Sequence, residues 1–528
     1  MIPFAGKKLK RVAKASSLSG YLGNILGLST LVLGLPLGYA MRNVWRPEKP
    51  GQPNIIYILA DDLGYGDLSC YQPEGKIHTP HIDRLADQGI RFTDMHSPSG
   101  VCTPTRYGIL TGEYPWRSRL PVGVLRGYSR NLIEPGKGTV AELLRSHGYQ
   151  TAVVGKWHLG LDWVIRAEAR PTVQALSRDY GIQTEMDSAD IDFLSPPTMG
   201  PRELGFVYSY ILPASLDMPP YGYLENQRWE SLPTSFTPGN KLESGYTGPF
   251  WRAGKMAPDF DFLQVLPQFV AKAKAFLDKQ TPEKPFFLFL PLAAPHTPWV
   301  PTSPFTGSSQ AGEYGDFVQQ VDHAVGEILE LLEKKKLASQ TLVLFTSDNG
   351  PYWREPLISQ FGHRSAGPFR GMKGDAWEGG HRVPFIARWP GKIRKGSISQ
   401  IPVCQTSFMA TLRALLRDTN PRFYRSDSQS LLPALLGKAS GKFPPPPIIH
   451  SSSRGYFAIR HGSWKMIAGL GSGGFSEPNR EMPHPGGPDV QLYNLASDPG
   501  EKENLALRHP TIVRDLKQKL AEIKLNQH

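Results

Sequence analysis

Asn54-Ile55-Ile56-Tyr57-Ile58-Leu59-Ala60 is an almost unbroken apolar run, and it decides the fold. A strand covered on both faces has this pattern, whereas a strand with one wet face alternates between apolar and polar residues. Shorter runs of the same kind recur at residues 151–154, 285–290, 341–345 and 383–387. The chain therefore predicts several strands that are buried on both faces.

Helical patterns separate these strands, at residues 80–88, 139–147, 262–278, 317–334 and 406–416. Strands that alternate with helices predict an α/β fold. We expect one large domain over residues 54–442, with a mostly parallel or mixed central sheet sandwiched by helices. Residues 165–250 interrupt the alternation and are rich in Pro, Gly and Tyr, so we interpret them as loops around a pocket.

A proline-rich segment marks the predicted end of this domain. Phe443-Pro444-Pro445-Pro446-Pro447 is followed by strand-like pieces at residues 448–451, 456–460, 464–467 and 491–495, and by a helical pattern at residues 511–524. Short strands separated by turns are typical of an antiparallel sheet. We therefore predict a small C-terminal α+β domain over residues 443–528.

The first residues have the layout of an export signal. Five Lys and Arg residues lie within residues 7–14, and residues 21–40 form an uncharged run that ends in Gly38-Tyr39-Ala40. This pattern predicts a signal peptide at residues 1–40, followed by a linker at residues 41–53. An uncleaved membrane anchor at residues 21–40 is the alternative, because the run is long enough to span a bilayer. Both interpretations export the rest of the chain, which is then periplasmic or secreted.

Composition and cysteine count exclude several classes of protein. The chain has 528 residues and a net charge of +12, but no long basic run follows residue 14. We therefore do not expect nucleic acid as a partner. Three cysteines do not make a disulfide framework. Cys70 and Cys404 either pair or serve as small buried apolar residues, which leaves Cys102 as the odd one.

Pairs of oxygen ligands follow two of the predicted strands. Asp61-Asp62 comes directly after the first strand, and Asp348-Asn349 follows the strand at residues 341–345. Ligands of open α/β sheets bind beyond the carboxyl ends of the strands. Each pair alone is explained by a turn or a helix cap, but two pairs favour a shared hard cation, Ca²⁺ or Mg²⁺.

A reactive group is predicted in Cys102-Thr103-Pro104-Thr105-Arg106. We expect Cys102 in the loop that enters a helix, with Pro104 near the first helical position and Arg106 about one turn further on. A helix N-terminus and a guanidinium both favour an anion there. A side chain at such a position is a candidate nucleophile, whereas an isolated thiol is more often merely buried.

Cationic and imidazole side chains complete a candidate site. Lys156 and His158 follow the strand at residues 151–154, and His296 follows the Phe-rich strand. Lys373 lies beside a Gly-rich turn. A lone histidine is usually structural, but two histidines and two lysines in such places fit general acid–base chemistry and neutralisation of an oxyanion.

Taken in order, these motifs resemble the formylglycine-dependent sulfatases, in the arylsulfatase branch of the alkaline phosphatase superfamily. The resemblance runs from about residue 54 to the C-terminus and includes Leu492-Tyr493-Asn494-Leu495-Ala496-Ser497-Asp498-Pro499-Gly500-Glu501. It implies an alkaline-phosphatase-like fold and an enzyme that releases inorganic sulfate from a small aryl or carbohydrate sulfate. A phosphonate monoester or phosphodiester hydrolase is the alternative in the same superfamily, and a non-catalytic binding protein anchored by residues 21–40 is the alternative from another class.

The resemblance further implies a metal and a modified residue. It predicts one divalent cation, usually Ca²⁺ with Mg²⁺ as the alternative, held by Asp61, Asp62, Asp348, Asn349 and the modified Cys102. A formylglycine-generating enzyme is expected to oxidise Cys102 during maturation. One hydroxyl of the aldehyde hydrate then attacks sulfur to give a covalent sulfo-enzyme intermediate, and the other hydroxyl expels sulfate.

The resemblance also implies roles for the remaining site residues. Arg106 and Lys156 are expected to hold the hydrate, and His158 is expected to be the base for its collapse. His296 and Lys373 are expected to bind sulfate oxygens, and one of the two protonates the leaving oxygen. Residues 213–221 resemble a pocket wall of the family.

Overall fold

The computed structural model describes residues 52–168, 173–175, 184–240, 248–438 and 446–525. The predicted signal or anchor at residues 1–40 lies outside the described residues, as does nearly all of the predicted linker. Residues 50–528 cluster as a single unit. Within the described ranges, no helix is both long and apolar enough to cross a membrane.

The described residues form strands and α-helices as follows. The strands are β1 (Asn54–Ala60), β2 (Ile90–His96), β3 (Gln150–Lys156), β4 (Val173–Ala175), β5 (Thr184–Met186), β6 (Tyr208–Leu212), β7 (Leu224–Glu225), β8 (Arg228–Trp229), β9 (Ser235–Thr237), β10 (Gly254–Met256), β11 (Phe286–Pro291), β12 (Thr341–Ser347), β13 (Arg382–Arg388), β14 (Ser397–Ser399), β15 (Val403–Cys404), β16 (Ile448–Ser451), β17 (Phe457–His461), β18 (Trp464–Ile467) and β19 (Gln491–Asn494). The α-helices are α1 (Pro80–Asp87), α2 (Cys102–Thr111), α3 (Val140–Ser146), α4 (Val265–Asp278), α5 (Gly312–Lys334), α6 (Glu355–Phe361), α7 (Glu378–His381), α8 (Ser407–Leu416), α9 (Leu432–Leu435) and α10 (Pro510–Leu525).

The large sheet has a parallel centre and mixed edges. Its strand order is β14-β2-β13-β12-β1-β11-β3-β6-β7-β8, and β15 also pairs with β2. The strands β12, β1, β11, β3 and β6 run parallel to their neighbours in this series. Strand β13 is antiparallel to both β12 and β2. The predicted mixed α/β sheet is confirmed, and its parallel centre brings the carboxyl ends of several strands to one edge.

Strand β1 lies between two hydrophobic cores, which explains its unbroken apolar sequence. Ile56 and Ile58 belong to the core that α1, α4 and α5 cover, whereas Tyr57 and Leu59 belong to the core beneath α2, α3 and α8. All four side chains are fully or almost fully buried. Because successive residues of a strand point to opposite faces, both sets must be apolar.

Several sequence expectations need correction. Strand β2 was not predicted, because Arg91, Asp94 and His96 interrupt its apolar pattern. Residues 165–250 are not only loops, because β6, β7 and β8 of this segment extend the large sheet. Helix α5 begins five residues before the predicted start, at a polar turn that carries no helical periodicity.

The C-terminal residues form a separate antiparallel sheet, as the sequence predicts. Its strand order is β16-β17-β18-β19, and α10 packs against it through Val513, Leu516 and Leu520. Cys404 is buried in the same core and has a free thiol, and Cys70 is a half-buried free thiol, so the alternative in which the two pair does not hold. The predicted boundary at residues 442 and 443 stays a prediction, because these residues lie outside the described ranges.

A buried charged cluster joins the two sheets. Asp94 receives two hydrogen bonds from Arg460, at 2.7 and 2.6 Å. Lys465 Nζ lies 3.0 Å from Glu378 Oε1 and 2.8 Å from Glu501 Oε1. Three fully buried histidines stack among these groups, namely His96, His381 and His450. The imidazoles therefore sit between paired charges with no access to water.

We expect these histidines to make the protein labile to acid. Burial, as the largest cause, lowers the pKa of all three, and the Lys465 charge adds to this for His381 and His450. Above about pH 6.5, the ordinary histidine pKa, these histidines are neutral in both the folded and the unfolded chain. As the pH falls below that value, the unfolded chain binds protons that the folded chain does not, and the free energy of unfolding decreases. Burial also raises the pKa of Glu501, Asp322 and Asp348 to about 7, and these carboxyl groups oppose the trend. A variant that removes one histidine therefore separates the histidine contribution from theirs.

Thermal unfolding between pH 5 and pH 8 measures this effect. His450→Phe should flatten the fall in Tm, whereas the exposed His484→Gln should leave it as in the unmodified chain. Equal slopes for both variants would contradict the assignment of the acid lability to this cluster.

Candidate active site

The carboxyl ends of two neighbouring parallel strands bring the predicted metal ligands together. Asp61 and Asp62 follow β1, and Asp348 and Asn349 follow β12, its hydrogen-bonded neighbour. The Asp62 backbone N–H donates to Asp348 Oδ1 at 3.3 Å, and Asn349 Nδ2 donates to Asp62 Oδ1 at 2.7 Å. All four side chains are buried. The two predicted pairs therefore form one cluster at the edge of the sheet.

Three cations balance the three carboxylates of this cluster. Lys156 Nζ, at the end of β3, lies 2.5 Å from Asp61 Oδ2. Lys373 Nζ lies 2.7 Å from Asp62 Oδ2. Buried carboxylates without such partners would be strongly destabilising.

Arg106 is the third cation, and all of its described contacts are structural. Its Nε and Nη2 donate to Asp348 Oδ2 at 3.0 and 2.8 Å, and Nη1 donates to the Lys156 carbonyl at 2.7 Å. Nη2 also lies 3.7 Å from Asp61 Oδ1. The guanidinium therefore fixes α2 against the ends of β3 and β12.

The buried oxygens of the cluster fit a divalent cation. Asp61 Oδ1 and Asn349 Oδ1 are buried and have no hydrogen-bond partner among the described residues. One ligand atom each from Asp61, Cys102 and Asp348 lie within 4.8 Å of one another. Burial and repulsion by Asp61 raise the pKa of Asp348 to about 7, a cost that a bound cation would remove. Carboxylate and amide oxygens in this arrangement are what hard cations bind.

Cys102 is the first residue of α2, so the expected loop position is wrong, and the helix begins two residues before Pro104. Val101 is the N-cap and Pro104 is the third helical residue. The thiol is buried, and burial raises its pKa to about 11 although Lys156 and Lys373 act in the opposite direction. A thiol with so high a pKa is not a thiolate nucleophile at neutral pH.

His158 approaches the site with a strained backbone and one free ring nitrogen. Its φ is 54°, in the left-handed region that non-glycine residues rarely adopt. Nε2 donates to the Leu125 carbonyl at 2.9 Å, and Nδ1 is buried with no hydrogen-bond partner in the part of the chain that the structure describes. Burial, with Lys156 and Arg106 nearby, lowers the pKa of His158 well below its ordinary value. The ring is therefore neutral, with its lone pair at Nδ1.

His296 and Lys373 open into a cavity above Cys102. His296 Nδ1 donates to the Thr297 carbonyl at 2.6 Å, and Nε2 lies 3.6 Å from Asp62 Oδ2. Burial lowers the pKa of His296. Burial acts to lower the pKa of Lys373, but the carboxylate of Asp62 and its other anionic neighbours outweigh burial, so the pKa is raised. Both side chains line the cavity together with Cys102 and Asp62.

The cavity has a volume of about 340 Å³, and five aromatic side chains form part of its wall. Its aromatic residues are Phe250, Trp299, Tyr314, Tyr352 and Phe475. Asp217 and Met218 of the predicted wall at residues 213–221 also line it. Arg126 and Arg252 line it as well, and the sequence analysis missed both, because each stands alone in a loop with no motif around it.

Comparison with known proteins gives the family. A family model described as Sulfatase matches residues 53–418. An N-acetylgalactosamine-6-O-sulfatase of Bacteroides thetaiotaomicron is 34% identical, over 90% of this chain and 93% of its own. Human arylsulfatase A is 33% identical, over 93% of this chain and 89% of its own.

A solved structure agrees with these relatives. A Bacteroides thetaiotaomicron protein from a study of the metabolism of multiple glycosaminoglycans is 34% identical, with a TM-score of 0.75. The match covers 90% of this chain and 99% of that chain. The chain therefore belongs to the sulfatase family of the alkaline phosphatase superfamily and is a sulfuric ester hydrolase.

Proposed function

We propose that the protein hydrolyses a carbohydrate sulfate, with Cys102 converted to formylglycine before the enzyme is active. The state of Cys102 carries this proposal. Its thiol is buried, has a raised pKa and lies at the start of a helix among Lys156, Lys373 and three carboxylates. Such a thiol is a poor nucleophile. The hydrated aldehyde would supply both the nucleophilic oxygen and the second hydroxyl that releases sulfate.

The metal of this site is proposed to be Ca²⁺. Asp61, Asp62, Asp348 and Asn349 would hold it together with the modified Cys102. The unpartnered Asp61 Oδ1 and Asn349 Oδ1 support this ligand set. A bound divalent cation would supply charge neutralisation for a sulfate oxygen. Mg²⁺ is the alternative, although its strict octahedral geometry suits a cluster of protein oxygens less well.

The remaining catalytic and positioning roles are proposed for the protein side chains around the carboxylate cluster. Lys156 is proposed to hold the residue at position 102, and Arg106 is proposed to position Asp348 and the end of β3. The free Nδ1 of His158 is proposed to accept the proton when sulfate is released. His296 and Lys373 are proposed to bind sulfate oxygens from the cavity side, and one of them protonates the leaving oxygen.

One of the relatives supports a sugar substrate. It is named an N-acetylgalactosamine-6-O-sulfatase and matches nearly the full length of both chains. A 6-sulfated N-acetylgalactosamine is therefore the first substrate to test, with aryl sulfates as the simplest model. We also propose export to the periplasm or medium, and maturation by a formylglycine-generating enzyme.

A comparison of ester types tests this function. The enzyme is co-expressed with a formylglycine-generating enzyme and given an aryl sulfate, an aryl phosphodiester and 6-sulfated N-acetylgalactosamine. We expect kcat/KM for the aryl sulfate to exceed that for the phosphodiester by at least about tenfold, because the enzyme discriminates through transition-state contacts. Faster turnover of the phosphodiester would instead favour the phosphonate or phosphodiester hydrolase. Cys102→Ala from the same preparation controls for contaminating enzymes.

A further inference from the structure

Arg126 lines the active-site cavity from a backbone that is fixed to the reaction centre. The carbonyl of the preceding residue, Leu125, accepts the His158 hydrogen bond, and its N–H donates to Thr103 Oγ1 at 3.2 Å. On the other side, the Gly127 carbonyl accepts a hydrogen bond from Trp163 Nε1 at 3.1 Å. The start of the Arg126 side chain is therefore held in place by the same residues that position His158.

Among the described residues, the Arg126 guanidinium forms no ion pair at salt-bridge distance and no hydrogen bond, although the side chain is half-buried. Burial and the neighbouring Arg252 charge lower the pKa of Arg126, and the Glu185 and Asp217 carboxylates only partly offset them. A partly buried cation that repels its neighbour costs free energy until an anion pairs with it.

The other charged groups of the cavity wall are already paired. Lys373 pairs with Asp62, and Arg252 pairs with Asp217. Arg126 is thus the cation of the described cavity lining that forms no direct ion pair. The pair at Asp217 is nevertheless incomplete, because its buried Oδ1 has no hydrogen-bond partner in the described ranges and lies 4.0 Å from His296 Nδ1. A free acceptor near His296 suits a sugar hydroxyl.

From this arrangement we infer that Arg126 binds a second anionic group of the substrate, apart from the ester sulfate that is cleaved. A guanidinium binds carboxylate or sulfate through two parallel hydrogen bonds. The substrate is therefore an acidic saccharide, in which a uronate carboxylate or a second sulfate lies beside the sulfated sugar, and Asp217 accepts a hydroxyl of that sugar. This inference rests on the proposed function.

Substrates with and without the second anion test the inference in the mature enzyme, which carries no amino-acid substitution. The first pair is a disaccharide of 6-sulfated N-acetylgalactosamine with a hexuronate, and the same disaccharide with its carboxylate reduced to an alcohol. The second pair is disulfated and monosulfated N-acetylgalactosamine. In one pair we expect the member with the additional anion to have a kcat/KM about 10- to 100-fold higher, as for a hydrogen bond to a charged group. The pair that responds identifies the anion, and equal rates within both pairs would overturn the inference.

Variants assign the preference to Arg126. Arg126→Met should remove most of it, mainly through a higher KM for the doubly anionic substrate, and Arg126→Lys should keep part of it. Arg130→Met is the matched control, because Arg130 lies on the same segment but is exposed and pairs with Glu134. A preference that survives in Arg126→Met would overturn the assignment. If Arg126→Met does not fold, the substrate pairs still test for a second anion site, and Arg126→Lys still tests whether Arg126 forms it.

The two proposals fail in different ways. An enzyme that releases sulfate equally from all four saccharides retains the proposed function and lacks the second anion site. An enzyme that releases sulfate from no saccharide and no aryl sulfate lacks the proposed function itself.

Discussion

Replacing Cys102 by serine is expected to lower steady-state sulfate release by at least about a thousandfold, as removal of a catalytic nucleophile does. Serine offers one hydroxyl, which reaches sulfur from the same place at the start of α2. It has no second hydroxyl on the same carbon, so a sulfo group that it accepts is not expelled. The variant should therefore accumulate the sulfated serine, which intact-protein mass spectrometry detects as a gain of one sulfo group.

The matched control is the same substitution at another cysteine. Cys70→Ser changes a half-buried thiol outside the cavity and should leave turnover within about twofold, as for a surface change away from special features. Both variants should have nearly the same Tm as the enzyme without substitutions. Full activity of Cys102→Ser would contradict any role of this residue in covalent chemistry.

Removal of divalent cations is expected to have the second-largest effect, a loss of at least about a hundredfold in kcat/KM. Three buried carboxylates then repel one another with only their cation partners to compensate. The protein should also become less stable, because at about 100 Kd a bound cation adds about 2.7 kcal/mol to the free energy of unfolding. Dialysis against a chelator, followed by titration with Ca²⁺ or Mg²⁺, measures both activity and Tm.

Asn349→Ala isolates the metal from other effects of the chelator. This variant loses the unpartnered Oδ1 but keeps all three carboxylates, so we expect its apparent Kd for Ca²⁺ to rise at least about tenfold. Asn420→Ala, in an exposed turn outside the site, is the control. Metal-free protein with full activity, or equal Ca²⁺ affinity in the two variants, would contradict the ligand set.

The sequence predicted the elements whose pattern is local. Strand β1 was predictable because its alternate residues enter two different cores and are all apolar. The C-terminal strands were predictable because turns separate them. Asp61, Asp348 and Lys156 were predictable as neighbours because each follows a buried strand, and parallel strands end at one edge of a sheet.

Other features depend on contacts that no local pattern records. Strand β6 lies in a segment rich in loops and becomes a strand because it pairs with β3. The antiparallel direction of β13 depends on β2, whose charged residues pair with the C-terminal sheet. Arg126 was missed for the same reason, since its place in the cavity wall is set by Thr103 and His158 rather than by its neighbours in sequence.

The mass of the tryptic peptide that spans residues 92–106 tests the central claim most directly. The peptide contains Cys102, and its mass is measured in active enzyme purified after co-expression with a formylglycine-generating enzyme. The account predicts an aldehyde in place of the thiol, in a fraction of molecules that rises in proportion to specific activity. Fully active enzyme in which every molecule keeps the unmodified Cys102 thiol would contradict it.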